Sequence, residues 1–189
     1  MTNTQPATKS ALNIALIGGA LTSGAIINRR TDTGVLPRTF RESTKTMKVL
    51  FICYANVGRS QVAEACFKSR SQHDCDSAGL AVDERIAQMK LPSKKLKHTA
   101  IQHSVRYIKR ELGLDVGEKE RRQLVPEMID AADLAIVIAE KERWPSYLKE
   151  CRKVVFWDIQ DPVGMNDESA DEVYRQVQHR VAQLVAEIG

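Results

Sequence analysis

The fold is decided by residues 49–60, which read Val-Leu-Phe-Ile-Cys-Tyr-Ala-Asn-Val-Gly-Arg-Ser. The first four residues form a short, continuous apolar run, which is typical of a strand buried on both faces of a parallel sheet. Cys53 ends this predicted strand, and a helical pattern of apolar residues spaced four apart begins at Arg59 and reaches about Ser71. The stretch therefore predicts a strand, a tight loop and a helix in direct succession.

Strand and helix patterns alternate along the chain beyond this stretch. Two further apolar runs predict strands over residues 134–138 and 153–156. Helical periodicity marks residues 101–112 and a terminal amphipathic helix that ends near Ile188. Strands separated by helices predict an α/β fold, with a parallel sheet covered by helices on both faces. Such sheets bind ligands at the carboxyl ends of their strands, which is where Cys53 lies.

The composition of the chain changes near Met47. Residues 1–46 are rich in Thr, Ser, Ala and Gly, and their one apolar run, residues 11–27, contains three glycines. A run of this length is at the lower limit for a membrane span, and its flanking charges do not fit a secretory signal. We interpret residues 1–46 as an N-terminal leader or disordered extension without stable membrane insertion, and residues 47–189 as a catalytic domain.

The leader also holds the excess positive charge of the chain. The formal net charge of +4 comes from 28 basic and 24 acidic residues, of which six and two lie in residues 1–46, leaving 22 of each for residues 47–189. The charge is therefore no sign of a nucleic-acid partner, and an aromatic content of 5% argues against a stacking platform for bases. We expect a cytoplasmic monomer, with an organelle as the alternative if residues 1–46 are a transit segment.

The loop from Cys53 to Ser60 has the features of an oxyanion site. Successive backbone N–H groups in a tight loop form an anion-binding nest, and the N-terminus of the following helix adds donors and a positive dipole end. Arg59 supplies a fork of donors for two oxygens. The same positive groups favour the thiolate form of a cysteine at the start of the loop. A phosphate-sized anion would then lie over the sulfur of Cys53.

Several separated motifs resemble those of the low-molecular-weight protein tyrosine phosphatases and the related arsenate reductases. The first is residues 49–64, and the later ones follow in the family order: Asp76-Ser77-Ala78-Gly79, Arg121-Arg122-Gln123-Leu124, Ala132-Asp133-Leu134 and Asp161-Pro162. The resemblance covers about residues 47–189, and residues 82–99 look like a family-variable loop. It implies a three-layer α/β/α sandwich with a four-stranded parallel sheet and a phosphate-binding loop after the first strand.

The resemblance also implies roles for the residues of this loop. Cys53 would attack phosphorus and form a cysteinyl-phosphate intermediate, while Arg59 and the loop amides stabilise the phosphoryl oxygens. Ser60 would hydrogen-bond the thiolate, and Asn56 would hold the shape of the loop with Ser77 as its partner. The implied substrate-binding residues are Tyr54, Ala55, Asn56, Val57, Gly58, Arg59 and Ser60.

The acid of the reaction is implied to be Asp161. It would protonate the leaving oxygen and then activate the hydrolytic water, on a loop stiffened by Pro162. Asp158 is the nearby competitor for this role, but no proline follows it. Tyr54 and Trp157 are candidate walls for an aromatic leaving group, and core packing is an equal alternative for Trp157.

The sequence departs from the phosphatase pattern at several positions. The phosphatases usually carry a glycine at Ala55, a second cysteine at Gly58 and a proline at Gln61. Residues 58–61 resemble the arsenate-reductase branch more closely, as does the Val163-Gly164 that follows Asp161-Pro162 in place of tyrosines. These departures weigh against a preference for phosphotyrosine.

Three functions follow from these residues. The first is a phosphatase acting on a phosphorylated protein, with phosphotyrosine foremost, or on a small phosphomonoester. The second is an arsenate reductase that uses an external thiol, because no cysteine lies between Cys75 and Cys151 to form an internal relay. The third is an inactive oxyanion-binding regulatory module. Cys66 and Cys75 are interpreted as structural thiols, residues 118–122 as a solvated charged face, and no metal or organic cofactor is implied.

Overall fold

The computed structural model describes residues 46–189. Each strand of the domain is followed by helical structure, in the alternation that the hydrophobic pattern predicts. The elements in chain order are β1 (Lys48–Cys53), α1 (Arg59–Lys68), β2 (Asp74–Gly79), α2 (Val82–Gln88), α3 (His103–Leu112), α4 (Pro126–Asp130), β3 (Leu134–Val137), α5 (Ser146–Lys149), β4 (Val154–Phe156) and α6 (Asp167–Ile188). Short 3₁₀ turns lie at Leu96–His98 and Lys141–Arg143.

The four strands form one parallel sheet in the order β2-β1-β3-β4. Strand β1 pairs with β2 on one side, where Cys53 is opposite Gly79, and with β3 on the other, where Ile52 is opposite Val137. The chain leaves β1 towards β2 and later returns to the opposite side of β1 to form β3. This change of direction opens a crevice at the carboxyl end of β1, where Cys53 lies.

Strand β1 is apolar throughout because both of its faces are buried. Val49 and Phe51 pack with residues of α1, α3 and α6 in one core cluster, whereas Leu50 and Ile52 pack in a second cluster on the other face. This alternation follows from the two-residue period of a strand. Burial of each such side chain stabilises the fold by about 1.5–3 kcal/mol. The predicted three-layer α/β/α sandwich with its four-stranded parallel sheet is confirmed.

The structure differs from the sequence-based expectation in two places. Residues 82–99, expected to be a variable loop, contain α2, and the segment after it pairs with residues 117–121 through bonds such as Leu96 N–H to the Lys119 carbonyl, at 2.9 Å. The interpretation of residues 118–122 as a solvated face is wrong for Arg121, whose side chain is only 2% exposed. Contact with the segment after α2 covers this residue.

No helix within residues 46–189 has the length and apolar character needed to cross a membrane. The interpretation of the N-terminal residues as a leader or transit segment falls on residues 1–45, outside the described part of the chain. The proposed boundary between leader and catalytic domain therefore stays a prediction.

Candidate active site

Residues 53–60 form a narrow loop between the end of β1 and the start of α1. Asn56 has a positive φ of 51°, a left-handed conformation that asparagine adopts more readily than most residues. Gly79 at the end of β2 lies close against the loop. A Cβ on Gly79 would be 2.7 Å from the backbone nitrogen of Asn56 and 2.9 Å from the carbonyl carbon of Ala55. Only a glycine allows the strand and the loop to approach so closely.

The Asn56 side chain connects the loop to two neighbouring segments. Its Nδ2 donates to the Oγ atoms of Ser60 and Ser77, both at 2.9 Å, and its Oδ1 accepts from the backbone N–H of Arg122 at 2.9 Å. Because a backbone N–H can only donate, these contacts also fix the orientation of the amide. The structure thus brings Ser77, 21 residues from Asn56 in sequence, together with Asn56 and Ser60.

Cys53 and Ser60 lie at opposite ends of the loop and are in direct contact. The Cys53 Sγ and Ser60 Oγ atoms are 3.0 Å apart, and both residues are buried. Ser60 Oγ already accepts a hydrogen bond from Asn56, so its own hydrogen is free to point at the sulfur. The Ser60 hydroxyl is therefore placed to donate to the Cys53 sulfur.

A buried carboxylate lies behind this polar network. Glu64 on α1 is 1% exposed and forms ion pairs with Lys68, at 2.6 Å, and with Lys119. Burial acts to raise the pKa of Glu64, but the two ammonium groups, with a smaller contribution from the Ser77 hydroxyl, hold that pKa below its usual value. Glu64 therefore remains charged and anchors the Ser77 side of the site.

Arg59 is the buried cation of the site, with a side chain only 3% exposed. Its Nη1 donates to the carbonyls of Ile138 and Ile159 at 2.7 and 2.9 Å, and to Glu140 at 3.3 Å. Its Nη2 donates to Asp161 Oδ2 at 2.7 Å. Within residues 46–189, the Nε–H and the second Nη2 hydrogen have no acceptor, and together they form a fork suited to two oxygens of an anion.

Asp161 lies within reach of both Arg59 and solvent. Its side chain is 36% exposed, and its Oδ1 accepts from the backbone N–H of Val163 at 3.3 Å, which steadies the turn behind the buried Pro162. Asp158 is exposed and does not line the cavity that contains Cys53. The two candidate acids therefore have different positions relative to the thiol, and only Asp161 shares its cavity.

Cys53, Arg59 and Asp161 line one cavity of about 480 Å³. The loop residues Tyr54, Ala55, Val57 and Gly58 contribute to its lining, whereas Asn56, Ser60 and Ser77 lie beneath it. The rest of the wall is largely apolar and comes from Met89, Leu91, Ala100, Ile101, Pro162 and Val163. Such a cavity suits an anion that carries an apolar or aromatic group.

Tyr54 and Trp157 were both candidate walls of the cavity, and only Tyr54 lines it. The guanidinium of Arg143 lies over the Tyr54 ring, with its central carbon 4.3 Å from the ring centroid. Trp157 instead packs in the core, 6.0 Å from Phe51 between ring centroids.

Tyr174 on α6 is a cavity residue that the sequence patterns did not reveal. Its hydroxyl oxygen would be 3.0 Å from a Cβ on Gly58, so the phenol fills the space beside this glycine. Ser104 at the start of α3 donates to the carbonyl of Val57 at 2.7 Å and also contacts the Tyr174 hydroxyl. Burial, together with the charges of Cys53 and Asp161, raises the pKa of Tyr174 and keeps it a neutral donor.

The other cysteines are distant from Cys53. Cys75 pairs with Val49 in the sheet, four residues or about 13 Å from Cys53 along β1, and burial raises its pKa to about 12. Cys66 is buried in α1, seven residues or about 10 Å along the helix from Arg59, and burial raises its pKa as well. Cys151 precedes β4, an edge strand that is separated from β1 by β3. All four cysteines are free in the described structure, so none is bonded to Cys53.

Potential metal ligands do not cluster in the described part of the chain. Among residues 46–189, no group of three or more His, Cys, Asp or Glu side chains is positioned to hold a metal ion.

Comparisons with known proteins agree with the fold. A sequence model of the family described as low molecular weight phosphotyrosine protein phosphatase matches residues 48–189. This match covers most of the chain, and the protein therefore belongs to that family. A search of curated proteins finds no match.

Several solved structures share the fold. A low molecular weight protein tyrosine phosphatase from T. tengcongensis is 23% identical, with 75% of this chain and 99% of that chain covered and a TM-score of 0.58. The YwlE arginine phosphatase from Geobacillus stearothermophilus is 19% identical, with 75% and 92% covered and a TM-score of 0.56. An arsenate reductase from Archaeoglobus fulgidus is 26% identical, with 73% and 98% covered and a TM-score of 0.53. The fold is thus shared by phosphatases and arsenate reductases.

Proposed function

We propose that the chain is a cysteine-dependent phosphatase that hydrolyses phosphomonoesters through a cysteinyl-phosphate intermediate. Phosphotyrosine in proteins is the foremost proposed substrate in spite of the sequence departures at Gly58 and Gln61, because the largely apolar cavity wall suits an aromatic leaving group. The observation that carries this proposal is that Cys53 and Asp161 line one cavity together with the buried guanidinium of Arg59. Hydrolysis needs an anion-binding loop, a nucleophile and an acid, and all three groups meet there. Membership of the phosphatase family supports the same class of reaction.

In the first step, the phosphoryl group binds to the loop amides and to the free fork of Arg59. The Cys53 thiolate then attacks phosphorus, and the bond to the leaving oxygen breaks. Asp161 protonates that oxygen, because a phenolate or alkoxide leaves poorly without a proton. The apolar wall of the cavity accommodates the aromatic ring of the leaving group.

In the second step, water attacks the cysteinyl phosphate and the sulfur leaves as a thiolate. Asp161, now a carboxylate, accepts the proton of that water. The Ser60 hydroxyl, directed at sulfur by its bond from Asn56, stabilises the departing thiolate. Inorganic phosphate then leaves, and the enzyme regains its initial protonation state.

The reaction is tested with the full-length chain and p-nitrophenyl phosphate in the presence of a metal chelator. We expect steady turnover, complete loss of activity in Cys53→Ser, and essentially unchanged activity in Cys151→Ser. Cys151→Ser is the matched control, because it removes a cysteine that lies before the edge strand β4 and not at the end of β1. Rapid quenching should trap phosphate on the protein in a cysteine-dependent manner. Absence of turnover by the wild-type chain would refute the proposal.

The acid is tested by comparing Asp161→Asn with Asp158→Asn. We expect Asp161→Asn to lower kcat for an aryl phosphate by about 100-fold or more, because general acid–base catalysis contributes about that much. Asp158→Asn should stay within about twofold, since Asp158 does not line the cavity of Cys53. The reverse pattern would assign the acid role to Asp158.

Arsenate reduction with an external thiol is the second candidate function, because arsenate has the shape and charge of phosphate. Cys66, Cys75 and Cys151 are free and two of them, Cys66 and Cys75, are buried, which supports an external reductant over an internal cysteine relay. Thiol-dependent formation of arsenite without phosphatase turnover would favour this function. Neither activity, with retained phosphate binding, would favour a regulatory oxyanion-binding module.

A cytoplasmic monomer is part of the same proposal. A catalytic thiolate works in a reducing compartment, where disulfides do not form readily. If residues 1–46 are a transit segment, the enzyme acts inside an organelle after their removal. Mass spectrometry of the native N-terminus, combined with cell fractionation, distinguishes the two locations.

A further inference from the structure

Arg121 is a second buried arginine in the wall of the cavity that contains Cys53. Its side chain is 2% exposed and still lines the cavity. Its backbone N–H and its Nε donate to the Lys94 carbonyl at 3.0 and 3.1 Å, and its Nη2 approaches the Ser93 carbonyl at 3.4 Å. These carbonyls hold one side of the guanidinium in place, and within residues 46–189 its Nη1 has no acceptor.

The charge of Arg121 has no counter-ion within residues 46–189. Burial lowers the pKa of Arg121, and no neighbouring carboxylate acts in the opposite direction. Arg59 differs, because it forms ion pairs with Asp161 and Glu140. An uncompensated buried charge is costly, and such groups concentrate at sites where a ligand provides the missing charge.

The other charges of the cavity support this interpretation. Six charged side chains line it: Arg59, Arg85, Arg121, Arg143, Glu140 and Asp161. The two carboxylates pair with Arg59 and Arg143. Arg85 contacts the neutral amide of Gln88 at 3.3 Å, so positive charge is left over beside the apolar wall.

We propose that Arg121 forms a second anion subsite, which binds a carboxylate or phosphate group carried by the same molecule as the phosphoryl group that is removed. This inference rests on the proposed function, because the second group is recognised as part of a phosphomonoester substrate. The fixed guanidinium binds two oxygens of that group through its remaining N–H donors. Substrates with an anionic group in addition to the scissile phosphate are therefore preferred over substrates whose remaining part is uncharged.

The test compares 3-carboxyphenyl phosphate with its neutral analogue, 3-carbamoylphenyl phosphate. For the wild-type chain we define the preference as the ratio of kcat/KM for the two compounds. We expect this ratio to fall about tenfold in Arg121→Gln, which loses a charge-assisted hydrogen bond to the carboxylate. Arg121→Lys should keep part of the ratio, since the charge stays and the fork is lost. A general disturbance of the fold lowers both rates and leaves the ratio unchanged.

The control is Arg152→Gln, which removes an exposed positive charge outside the cavity. Its ratio should match the wild-type value. An equal ratio in wild type and Arg121→Gln would overturn the inference, whatever the absolute rates.

A binding measurement separates this inference from the proposed function. Calorimetry with Cys53→Ser measures the affinities of 3-carboxybenzylphosphonate and 3-carbamoylbenzylphosphonate, with and without Arg121→Gln. A carboxylate preference that depends on Arg121 supports the subsite even if no phosphatase activity is found. If neither phosphonate binds, the subsite is refuted as well.

The source of the second anion is found with phosphotyrosine peptides that carry Asp or Asn beside the phosphorylated residue. A preference for Asp that disappears in Arg121→Gln identifies an acidic protein segment as the source. A preference confined to the small aryl phosphates identifies a class of small metabolites that carry a second anionic group beside the phosphate. Either result supports the subsite and names its ligand.

Discussion

The two sides of the loop at residues 53–60 are held in different ways. On the inner side, the Asn56 side chain makes buried hydrogen bonds to Ser60 and Ser77 and a partly buried one to the backbone N–H of Arg122. On the outer side, the Val57 carbonyl accepts a bond from Ser104, the Gly58 carbonyl accepts one from the backbone N–H of Val62, and Tyr174 fills the space beside Gly58. The inner side is a polar network that ends at the Cys53 sulfur, whereas the outer side is a close-fitting wall.

The two sides of the loop therefore affect the protein differently: the inner side supports the reacting sulfur, and the outer side sets the shape of the cavity. Loss of an inner partner leaves buried donors or acceptors without a hydrogen bond, so the loop, the thiolate and the stability all suffer. Loss of an outer partner changes the space beside the substrate but leaves few polar groups without a hydrogen-bond partner. Substitutions on the inner side should therefore reduce both catalysis and stability, and those on the outer side should mainly adjust catalysis.

The largest effect is expected for Asn56→Ala on the inner side. It removes three side-chain hydrogen bonds, two of them buried, and places alanine at a φ of 51°. We expect kcat/KM for an aryl phosphate to fall at least about 100-fold and the free energy of unfolding to fall by about 3 kcal/mol. Enzyme kinetics and urea unfolding measure the two effects.

The control for this variant is Asn166→Ala, which removes the side-chain cap of α6 at Ser169. It should cost about 1 kcal/mol of stability with little change in rate. Wild-type activity in Asn56→Ala would mean that the inner network does not hold the thiolate.

The next effect is the pH dependence that Glu64 contributes to the inner side. Its pKa is lowered in the folded state, so its stabilisation is present above the unfolded pKa and is lost as the pH falls through the folded value. Glu64→Gln should lower the free energy of unfolding by about 2 kcal/mol at pH 7, since Lys68 and Lys119 lose a buried partner but can reach solvent.

Urea unfolding at pH 7 and pH 4 tests this prediction. The difference between wild type and Glu64→Gln should shrink at the lower pH. Glu187→Gln, at an exposed position of α6, serves as the control and should follow the wild type at both pH values. A constant difference between the two proteins at both pH values would show that the Glu64 charge is not the cause.

A smaller effect is expected on the outer side for Gly58→Ala. The added methyl group would lie 3.0 Å from the Tyr174 hydroxyl, which forces the loop or the phenol to shift. We expect kcat/KM to fall about tenfold, since small displacements of reacting groups are costly. Tyr174→Phe in the same chain should restore most of the activity.

The matched control for this rescue is Tyr147→Phe, which removes a hydroxyl outside the cavity and should restore nothing. If Gly58→Ala has the same kcat/KM with or without Tyr174→Phe, the contact between residue 58 and the Tyr174 hydroxyl does not shape the loop.

The smallest effect is expected for Ser104→Ala, which removes the bond of 2.7 Å to the Val57 carbonyl. We expect kcat/KM to change by no more than about threefold and stability by about 1 kcal/mol. A loss of kcat/KM and stability as large as that of Asn56→Ala would show that the outer side of the loop matters as much as the inner side.

Local patterns in the sequence were sufficient to predict the central part of the fold. The apolar run at residues 49–52 and the helical pattern from Arg59 yield β1, the loop and α1, because strand and helix periods are properties of neighbouring residues. The order of motifs pointed to the family, and thus to the four-stranded sheet. Helix α2 was missed because residues 82–99 resembled a variable loop.

The contacts that complete the site depend on residues distant in sequence. The space beside Gly58 is filled by Tyr174, which belongs to the apolar face of α6 and carries no local sign of its position. Arg121 was hidden in a run of charged residues, and such runs usually face solvent. Its burial follows from pairing with the segment after α2, which no periodicity in the sequence reveals. The one signal in the sequence was Gly58 itself, because a residue without a side chain leaves space in the cavity wall that another residue must fill.

The ion pair between Arg59 and Asp161 has a consequence for which anions can enter the cavity. A visiting ion must compete with a carboxylate that already satisfies part of the guanidinium at 2.7 Å. A monovalent ion such as chloride offers Arg59 no more charge than Asp161 does, so it gains little by displacing it. A tetrahedral dianion brings a second charge and several oxygens for the loop amides, and the exchange is favourable. Under the proposed function, we therefore expect the unliganded protein to bind dianions in preference to monovalent ions.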